Sequence, residues 1–345
     1  MALKTGKWDS FFLSIKELSK VRELSKHEQI VRGVLNAIDE KILGKDDALP
    51  SVNVMIRELG FARETISKAY KDLVERGIIY STNRLGYFIA VEDTRQFLKV
   101  ALVMFNFDII QETLYHSFKN VLGRNVHLDI FFHHNNINTL KSIISNIGGK
   151  YGMYVVAPIP HPQIKDILRP IPVSKFLMID RFVKLDEEYS YIVQEFENAA
   201  YSAFVELKGR ISEFKEIIFF HRPSSDEPAE IPNAFYRFLK DFNIKGSVYP
   251  EYIPGSVEEG KVYFTINNAE LWIIIKDALS QNLKLGQDVG VLSHNDDTVK
   301  EIICGGITTF SADFSVMGKK AGEFVLNRQV VKEVLPTRLI RRASL

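Results

Sequence analysis

Residues 49–90, LPSVNVMIRELGFARETISKAYKDLVERGIIYSTNRLGYFIA, constrain this chain more than any other stretch. Pro50 is disfavoured inside a helix, and Ser51 can cap one over residues 52–59. Gly60 supplies the freedom for a sharp turn. A second helix is predicted over 62–76. Ile66, Ala69, Tyr70, Leu73 and Val74 form its apolar stripe, opposed by Arg63, Glu64, Ser67, Lys68 and Lys71. Gly77 ends it. Two β-rich segments, 78–81 and 87–90, flank Asn83 to Gly86, which predicts a hairpin with Arg84 at its tip. Upstream, Ile30, Val31, Val34, Ile38 and Ile42 mark one buried face of a helix over 27–43, with Gly44 as its stop.

Composition bounds the rest. At 345 residues the chain is long enough for two or three domains. With 46% hydrophobic and 25% charged residues it is globular. The longest apolar runs, 100–105 and 271–275, are too short to span a bilayer, so no membrane partner is expected. The opening MALKTGKWDS lacks the basic region and long apolar stretch of a secretion signal. A single cysteine, Cys304, excludes an internal disulfide and a multi-cysteine metal site. A cytoplasmic location is the expectation.

Helix, turn, polar-faced helix and hairpin in that order would lay a helix in the DNA major groove. Net charge gives this no help. Residues 20–92 hold twelve Lys/Arg and eleven Asp/Glu, a net +1, so the reading rests on where charges sit. Arg63 could donate to guanine O6 and N7, Thr65 and Ser67 could reach phosphates or bases, and Arg84 suits a phosphate or the minor groove. An exposed arginine on an amphipathic helix is usually a solvated face; the ordered pattern is far more specific than any one residue.

This stretch resembles the winged helix-turn-helix of the GntR family of transcription regulators. The matching positions are Leu49-Pro50-Ser51, Arg63-Glu64-Thr65, Ala69-Tyr70-Lys71-Asp72-Leu73 and the wing glycine Gly86. The resemblance implies DNA contacts from Ser51, Asn53, Arg63, Glu64, Thr65, Ser67, Lys68, Arg84 and Gly86. One departure matters: Val52 and Asn53 stand where many members carry an acidic residue and a DNA-binding arginine. Asn53 can still donate to a phosphate or read adenine. Residues 1–19, including Trp8, Phe11 and Phe12, fall outside the resemblance and receive no role.

After a polar linker, 91–97, strand-like and helix-like runs alternate. Strands are predicted over 100–105, 127–132, 154–157, 175–179, 216–220, 262–265 and 288–292. Helices are predicted over 110–122, 139–147, 195–207, 234–242 and 270–281. Such alternation means α/β architecture, with parallel sheets covered by helices. No G-x-G-x-x-G, phosphate-loop or G-x-S-x-G motif is present, and Gly148-Gly149-Lys150 lacks the flanking residues of a phosphate loop. No catalytic residue, cofactor or metal is therefore expected, and the adjacent pair His133-His134 reads as a strand-end loop. Polar residues gather at predicted strand ends: Asn106 to Asp108, His133 to Asn136, Asp180-Arg181, Asn267-Asn268 and His294 to Asp296. In open α/β sheets ligands bind outside the carboxyl ends of strands. Asn, Asp and Arg suit a polyhydroxylated ligand, and Phe107 could cover a sugar ring. Strand-end loops are polar in any case, so the set is better evidence than its members.

Residues 98–345 resemble the LacI/GalR-type effector domain, which is similar to periplasmic sugar-binding proteins. The matching segments are Gly286 to Asp296, Gly306 to Phe310, Met317 to Ala321 and Met178 to Arg181. The resemblance implies two Rossmann-like lobes, about 98–194 plus 308–330, and 195–307 plus a C-terminal strand. Ligand contacts would come from Asp108, His133, Asp180, Arg181, Asn267, Asn295 and Asp296, with Phe107 and Glu230 as further candidates.

Together the two halves imply domains at 20–90 and 98–345. They imply a non-enzymatic, homodimeric transcription regulator of carbohydrate metabolism that binds double-stranded operator DNA. Repression is the expected sense, with activation left open. The effector would be a monosaccharide or sugar phosphate, such as arabinose or fucose. The alternatives are a cytoplasmic sugar-binding protein and an enzyme on a doubly wound sheet.

Overall fold

A computed structural model describes residues 5–18, 24–75, 77–83, 85–91, 98–123, 126–186, 188–223, 225 and 227–345. Arg84, Arg76 and all of the expected linker except Val91 lie outside these.

Four helices and a hairpin open the fold: α1 Thr5–Leu18, α2 Lys26–Asp39, α3 Val52–Leu59, α4 Arg63–Glu75, β1 Ile79–Thr82 and β2 Gly86–Ile89. Ser25 starts α2 with a reciprocal capping box to Glu28. Ser51 caps α3, accepting from the Val54 N–H at 3.4 Å. Gly60 adopts the left-handed conformation (φ 70°) that the turn into α4 requires. β1 and β2 pair antiparallel, Ile79 with Ile89 and Thr82 with Gly86. Their common core takes Ile30, Val34, Met55, Ile66, Leu73 and Ile89. Tyr70 is buried there and donates its hydroxyl proton to the Pro50 carbonyl at 2.6 Å, tying α4 to the turn before α3.

Three details differ from the sequence reading. The helix expected over 27–43 stops at Asp39: Lys41 turns left-handed (φ 56°) and Leu43 folds back into the core. Val74 stays 37% exposed, at the edge of the α4 stripe. Helix α1 supplies Phe11, Phe12 and Ile15 to the core, crossing α2 where Gly33 leaves no Cβ to strike Ile15.

Two six-stranded sheets make up the remainder. The first has the order β13-β7-β6-β5-β3-β4, all parallel. Its strands are β3 Leu98–Met104, β4 Val126–Phe132, β5 Met153–Val156, β6 Phe176–Asp180, β7 Ser190–Gln194 and β13 Lys332–Leu335. The second has the order β14-β12-β11-β10-β8-β9. It contains β8 Glu216–Phe220, β9 Gly246–Tyr249, β10 Lys261–Thr265, β11 Gly290–His294, β12 Thr308–Ser311 and β14 Arg338–Ile340, the last antiparallel to β12. Central strands such as β5 and β11 are buried throughout, as strands covered on both faces must be.

Helices α5 Ile109–Leu122, α6 Ile137–Ile147 and α7 Ile164–Leu168 follow strands of the first sheet. Helices α8 Glu197–Ile211, α9 Glu230–Phe242, α10 Asn268–Ser280 and α11 Thr298–Ile302 accompany the second. Helix α12 Phe314–Asn327 returns to pack on α5. Gly318 and Gly322 permit that contact, since a Cβ on Gly318 would run into the Leu114 carbonyl.

The chain passes between the sheets three times, after β7, after β12 and after β13. The expected division assigned 308–330 to the first lobe. Strand β12 belongs instead to the second sheet, because Thr308 to Phe310 pair beside β11, and the crossing falls between Ser311 and Phe314.

Candidate functional site

The carboxyl ends of strands from both sheets converge on a cavity of about 280 Å³. β3 delivers Phe105 and Asn106, β6 delivers Asp180 and Arg181, β10 leads to Asn267 and β11 to Asn295. Strand ends carry the free backbone groups and polar loops that a parallel sheet excludes from its interior.

Two side chains there are helix caps. Asp108 accepts from the N–H groups of Ile110 (2.9 Å) and Gln111 (3.1 Å) at the start of α5. Asn267 accepts from those of Ala269 (2.8 Å) and Glu270 (3.3 Å) at the start of α10. Capping by the Asn267 oxygen leaves its amide N–H groups as donors.

Asp180 and Asn295 both adopt left-handed backbone conformations, φ 66° and 61°. Asp180 is buried and accepts from Gln194 Nε2 at 2.6 Å. Asn295 is anchored by its N–H to the Phe310 carbonyl (2.9 Å), and its buried Oδ1 has no hydrogen-bond partner among the described residues. Such an orphaned acceptor in a cavity is suited to a donor from a ligand. The Arg181 guanidinium lies over the Phe105 ring, 4.7 Å from its centre, and over that of Phe196 at 5.6 Å, within cation–π reach of both.

Beneath the Asn295 turn, Lys300 is fully buried and donates Nζ–H to the carbonyls of His294 (3.0 Å) and Asn295 (2.8 Å). Burial pulls its pKa down to about 8, against the nearby charges of Asp297 and Asp296. His294 is pushed down to about 3 by burial, then by Lys300 and Arg181, so it faces the cavity as a neutral imidazole.

The structure therefore brings Asp108, Asp180, Arg181, Asn267 and Asn295 together at one cavity. Four other expected contacts lie away from it. His133 is wholly buried, its Nε2 3.0 Å from the Ala157 carbonyl and its Nδ1 accepting from Asn135 N–H at 3.2 Å. Phe107 is 47% exposed and stands edge-on to Tyr115 and Phe132. Glu230 begins α9 and points to solvent. Asp296 turns away to Arg342 and Thr309.

Glu227, missed in the sequence, lines the cavity where Glu230 was expected; it is buried and accepts from the Arg222 N–H at 2.8 Å. Gln194 was missed with its strand. Phe105 and Phe196 offered a signal, as aromatics at strand ends.

On the helical head, Asn53, Arg63, Glu64, Ser67 and Lys68 are exposed and Thr65 is half-buried. The Arg63 guanidinium donates to Asn53 Oδ1, linking the starts of α3 and α4. The Ser51 hydroxyl oxygen accepts the α3 cap hydrogen bond, which leaves its O–H as a donor. Gly86 opens β2 with φ 109° and open space around it. Among the described residues no group of His, Cys, Asp or Glu could hold a metal ion, and no helix is long and apolar enough to cross a membrane.

No family model matches the chain. The NTD biosynthesis operon regulator NtdR of Bacillus subtilis (strain 168) is 28% identical over 177 residues, covering 44% of this chain and 52% of that protein. The chain thus matches about half the length of this curated relative. Among solved structures, a LacI family transcriptional regulator from Lactobacillus casei with bound sucrose superposes with a TM-score of 0.62 at 13% identity, over 72% of this chain and 99% of that one. The trehalose repressor from Escherichia coli gives 0.60 at 11%, over 70% and 99%. A periplasmic binding protein/LacI transcriptional regulator from Alkaliphilus metalliredigens QYMF, complexed with D-xylulofuranose, gives 0.56 at 10%, over 71% and 98%. The two-sheet part has the periplasmic-binding-protein-like fold of LacI-type regulators.

Proposed function

We propose that the protein is a one-component transcription regulator, with a DNA-binding head at 20–90 joined by 91–97 to an effector domain at 98–345. The head is read as a GntR-type winged helix-turn-helix and the effector domain as a sugar sensor. The observation that carries the reading is the cavity at the strand ends of both sheets, where Asp180, Arg181, Asn267 and Asn295 present donors and acceptors together. A polyhydroxylated ligand matches that set, because each hydroxyl both donates and accepts. Arabinose and fucose are the first sugars to try. The likeness to sugar-bound LacI-type structures and the partial match to an operon regulator support the same reading.

Support for the head comes from the order α2, α3, α4, hairpin, with Arg63, Glu64, Ser67 and Lys68 exposed along one helix. Arg63 and Asn53 are assigned to base edges, Thr65, Ser67 and Lys68 to phosphates, and the hairpin around Gly86 to the adjacent backbone. A homodimer would read a palindromic operator in the cytoplasm. The sugar would act only through its different affinities for the DNA-competent and DNA-released states.

A thermal-shift panel of monosaccharides tests the sensor. A ligand at a hundred times its Kd stabilises the folded state by roughly 2.7 kcal/mol, so a selective hit that Asn295→Ala removes is expected. Selection from a random duplex library tests the head, with an enriched palindrome as the expected product. A blank sugar panel sinks the sensor reading, and a library without enrichment sinks the head.

A further inference from the structure

A second cavity, of about 520 Å³, lies where α2 of the head meets the first sheet, at the end opposite the strand-end cleft. Cationic side chains from several elements line it: Arg32 on α2, Lys99 on β3, Lys150 in the turn after α6, Lys175 just before β6 and Arg328 just past α12. Val31, Leu35 and Leu98 give it an apolar wall.

The acidic residues along its edge are already engaged. Glu28 Oε2 accepts from the Ser25 N–H (3.0 Å) and hydroxyl (2.8 Å), completing the cap of α2. Asp39 accepts from Arg328 Nη2 at 2.9 Å. Glu28 attracts Arg32 and Asp39 attracts Lys175 through space, while the hydrogen bonds of those carboxylates go to Ser25 and Arg328. Arg32 Nη2 is buried without a hydrogen-bond partner among the described residues. Burial pulls the Arg32 guanidinium below its ordinary pKa. Lys175 is brought to about 8 by burial and by repulsion from Arg32 and Arg328, which Asp39 opposes. Arg32 and Lys175 are half-buried cations whose nearby carboxylates, Glu28 and Asp39, are committed elsewhere, and an oxyanion would relieve them.

We propose that this junction cavity is a binding site for a small phosphate monoester, its phosphoryl group held by Arg32, Lys175 and Lys150 and its organic body against Val31, Leu35 and Leu98. A phosphate dianion matches the guanidinium fork of Arg32 and the point charge of Lys175. A cavity of this size exceeds a bare phosphate and falls in the range of small-molecule sites. The bound ester ties α2 to the first sheet, so it fixes the head against the sensor half independently of the strand-end cleft.

Isothermal titration calorimetry on the full 345-residue chain tests this with ribose 5-phosphate, inorganic phosphate as competitor and ribose as the neutral control. We expect ribose 5-phosphate to bind, phosphate to compete, and ribose to give no heat at this site. Arg32→Gln and Lys175→Gln should each weaken binding at least tenfold, with unchanged circular dichroism. Lys150→Gln alters an exposed side chain and keeps the test valid if either half-buried variant fails to fold. Arg181→Gln, in the other cleft, should leave binding intact. Absence of binding by either phosphate ligand at millimolar concentration, equal binding of ribose, or unchanged binding in the junction variants would overturn the proposal. Loss in Arg181→Gln alone would do so too, by placing the phosphate in the strand-end cleft.

Discussion

Arg342 grips Asp296 with both arms of its guanidinium, Nη1 to Oδ1 at 2.6 Å and Nη2 to Oδ2 at 2.8 Å. The same Nη1 reaches the Ile307 carbonyl at 2.9 Å, and Thr309 Oγ1 donates to Asp296 at 2.8 Å. Asp296 follows Asn295 directly, so this pair sets the strand-end turn that the cleft uses. Burial alone would raise the Asp296 carboxyl; hydrogen bonds from Arg342 and Thr309 outweigh it and hold the pKa below the usual value.

Arg342→Ala is expected to destabilise the fold by about 2 kcal/mol, the scale of a charge-assisted hydrogen bond in a half-buried place. It should also weaken sugar binding through Asn295. A carboxylate with a depressed pKa stabilises the fold above its unfolded pKa and loses that contribution as pH falls through the folded one. The gap between wild type and Arg342→Ala in urea unfolding should therefore narrow below the ordinary carboxylate range. A gap independent of acid would show that the pair is not what Arg342 contributes.

Lys300 gives the opposite pH dependence. Its folded pKa of about 8 lies below the ordinary 10.5, so the unfolded chain binds more protons between those values. Stability should rise with pH across that window, on the order of 1–3 kcal/mol in total. Lys300→Met should abolish the rise. Unfolding curves of the two proteins between pH 7.5 and about 10.5 make the comparison, and parallel slopes would contradict it.

Arg63→Ala should lower duplex affinity by about 1–3 kcal/mol and relax base preference at one operator position if the guanidinium reads a guanine. Asn53→Ala should free Arg63 from its partner, with a smaller loss. Fluorescence anisotropy on the selected duplex reads both. Unchanged affinity and preference in Arg63→Ala would remove it from the interface.

Gly318→Val should destabilise the protein by about 1–3 kcal/mol or more, since a side chain there meets the backbone of α5 at Leu114. Denaturant midpoints give the answer. A neutral result would mean that α12 shifts freely on α5.

Much of the head was legible because its punctuation is local: Pro50, Ser51, Gly60 and Gly77 each act within a few residues. The helix α1 was not, because Phe11, Phe12 and Ile15 acquire meaning only against Gly33 on another helix. In the sheets, long apolar runs such as β3 announced themselves. Short strands with polar ends, such as β7 and β9, depend on neighbours distant in sequence. The strand-end rule pointed to Asp108, Asp180, Arg181, Asn267 and Asn295, which line one cavity. It could not separate them from His133, which spends both ring nitrogens on the backbone. Nor could it foresee that Asp296 would be claimed by Arg342, 46 residues away.

The three chain crossings between the sheets set the mechanics of any rearrangement. Two bodies joined by a single strand can tumble; a third strand removes sliding and leaves a rocking motion about one axis. Helix α2 and Arg32 rest on the first sheet at the end away from the cleft, and no residue of the second sheet lines their cavity, so rocking of one sheet against the other leaves that junction in place. The two cavities therefore answer to different motions, one to the rocking of the sheets and the other to the seating of the helices on the first sheet.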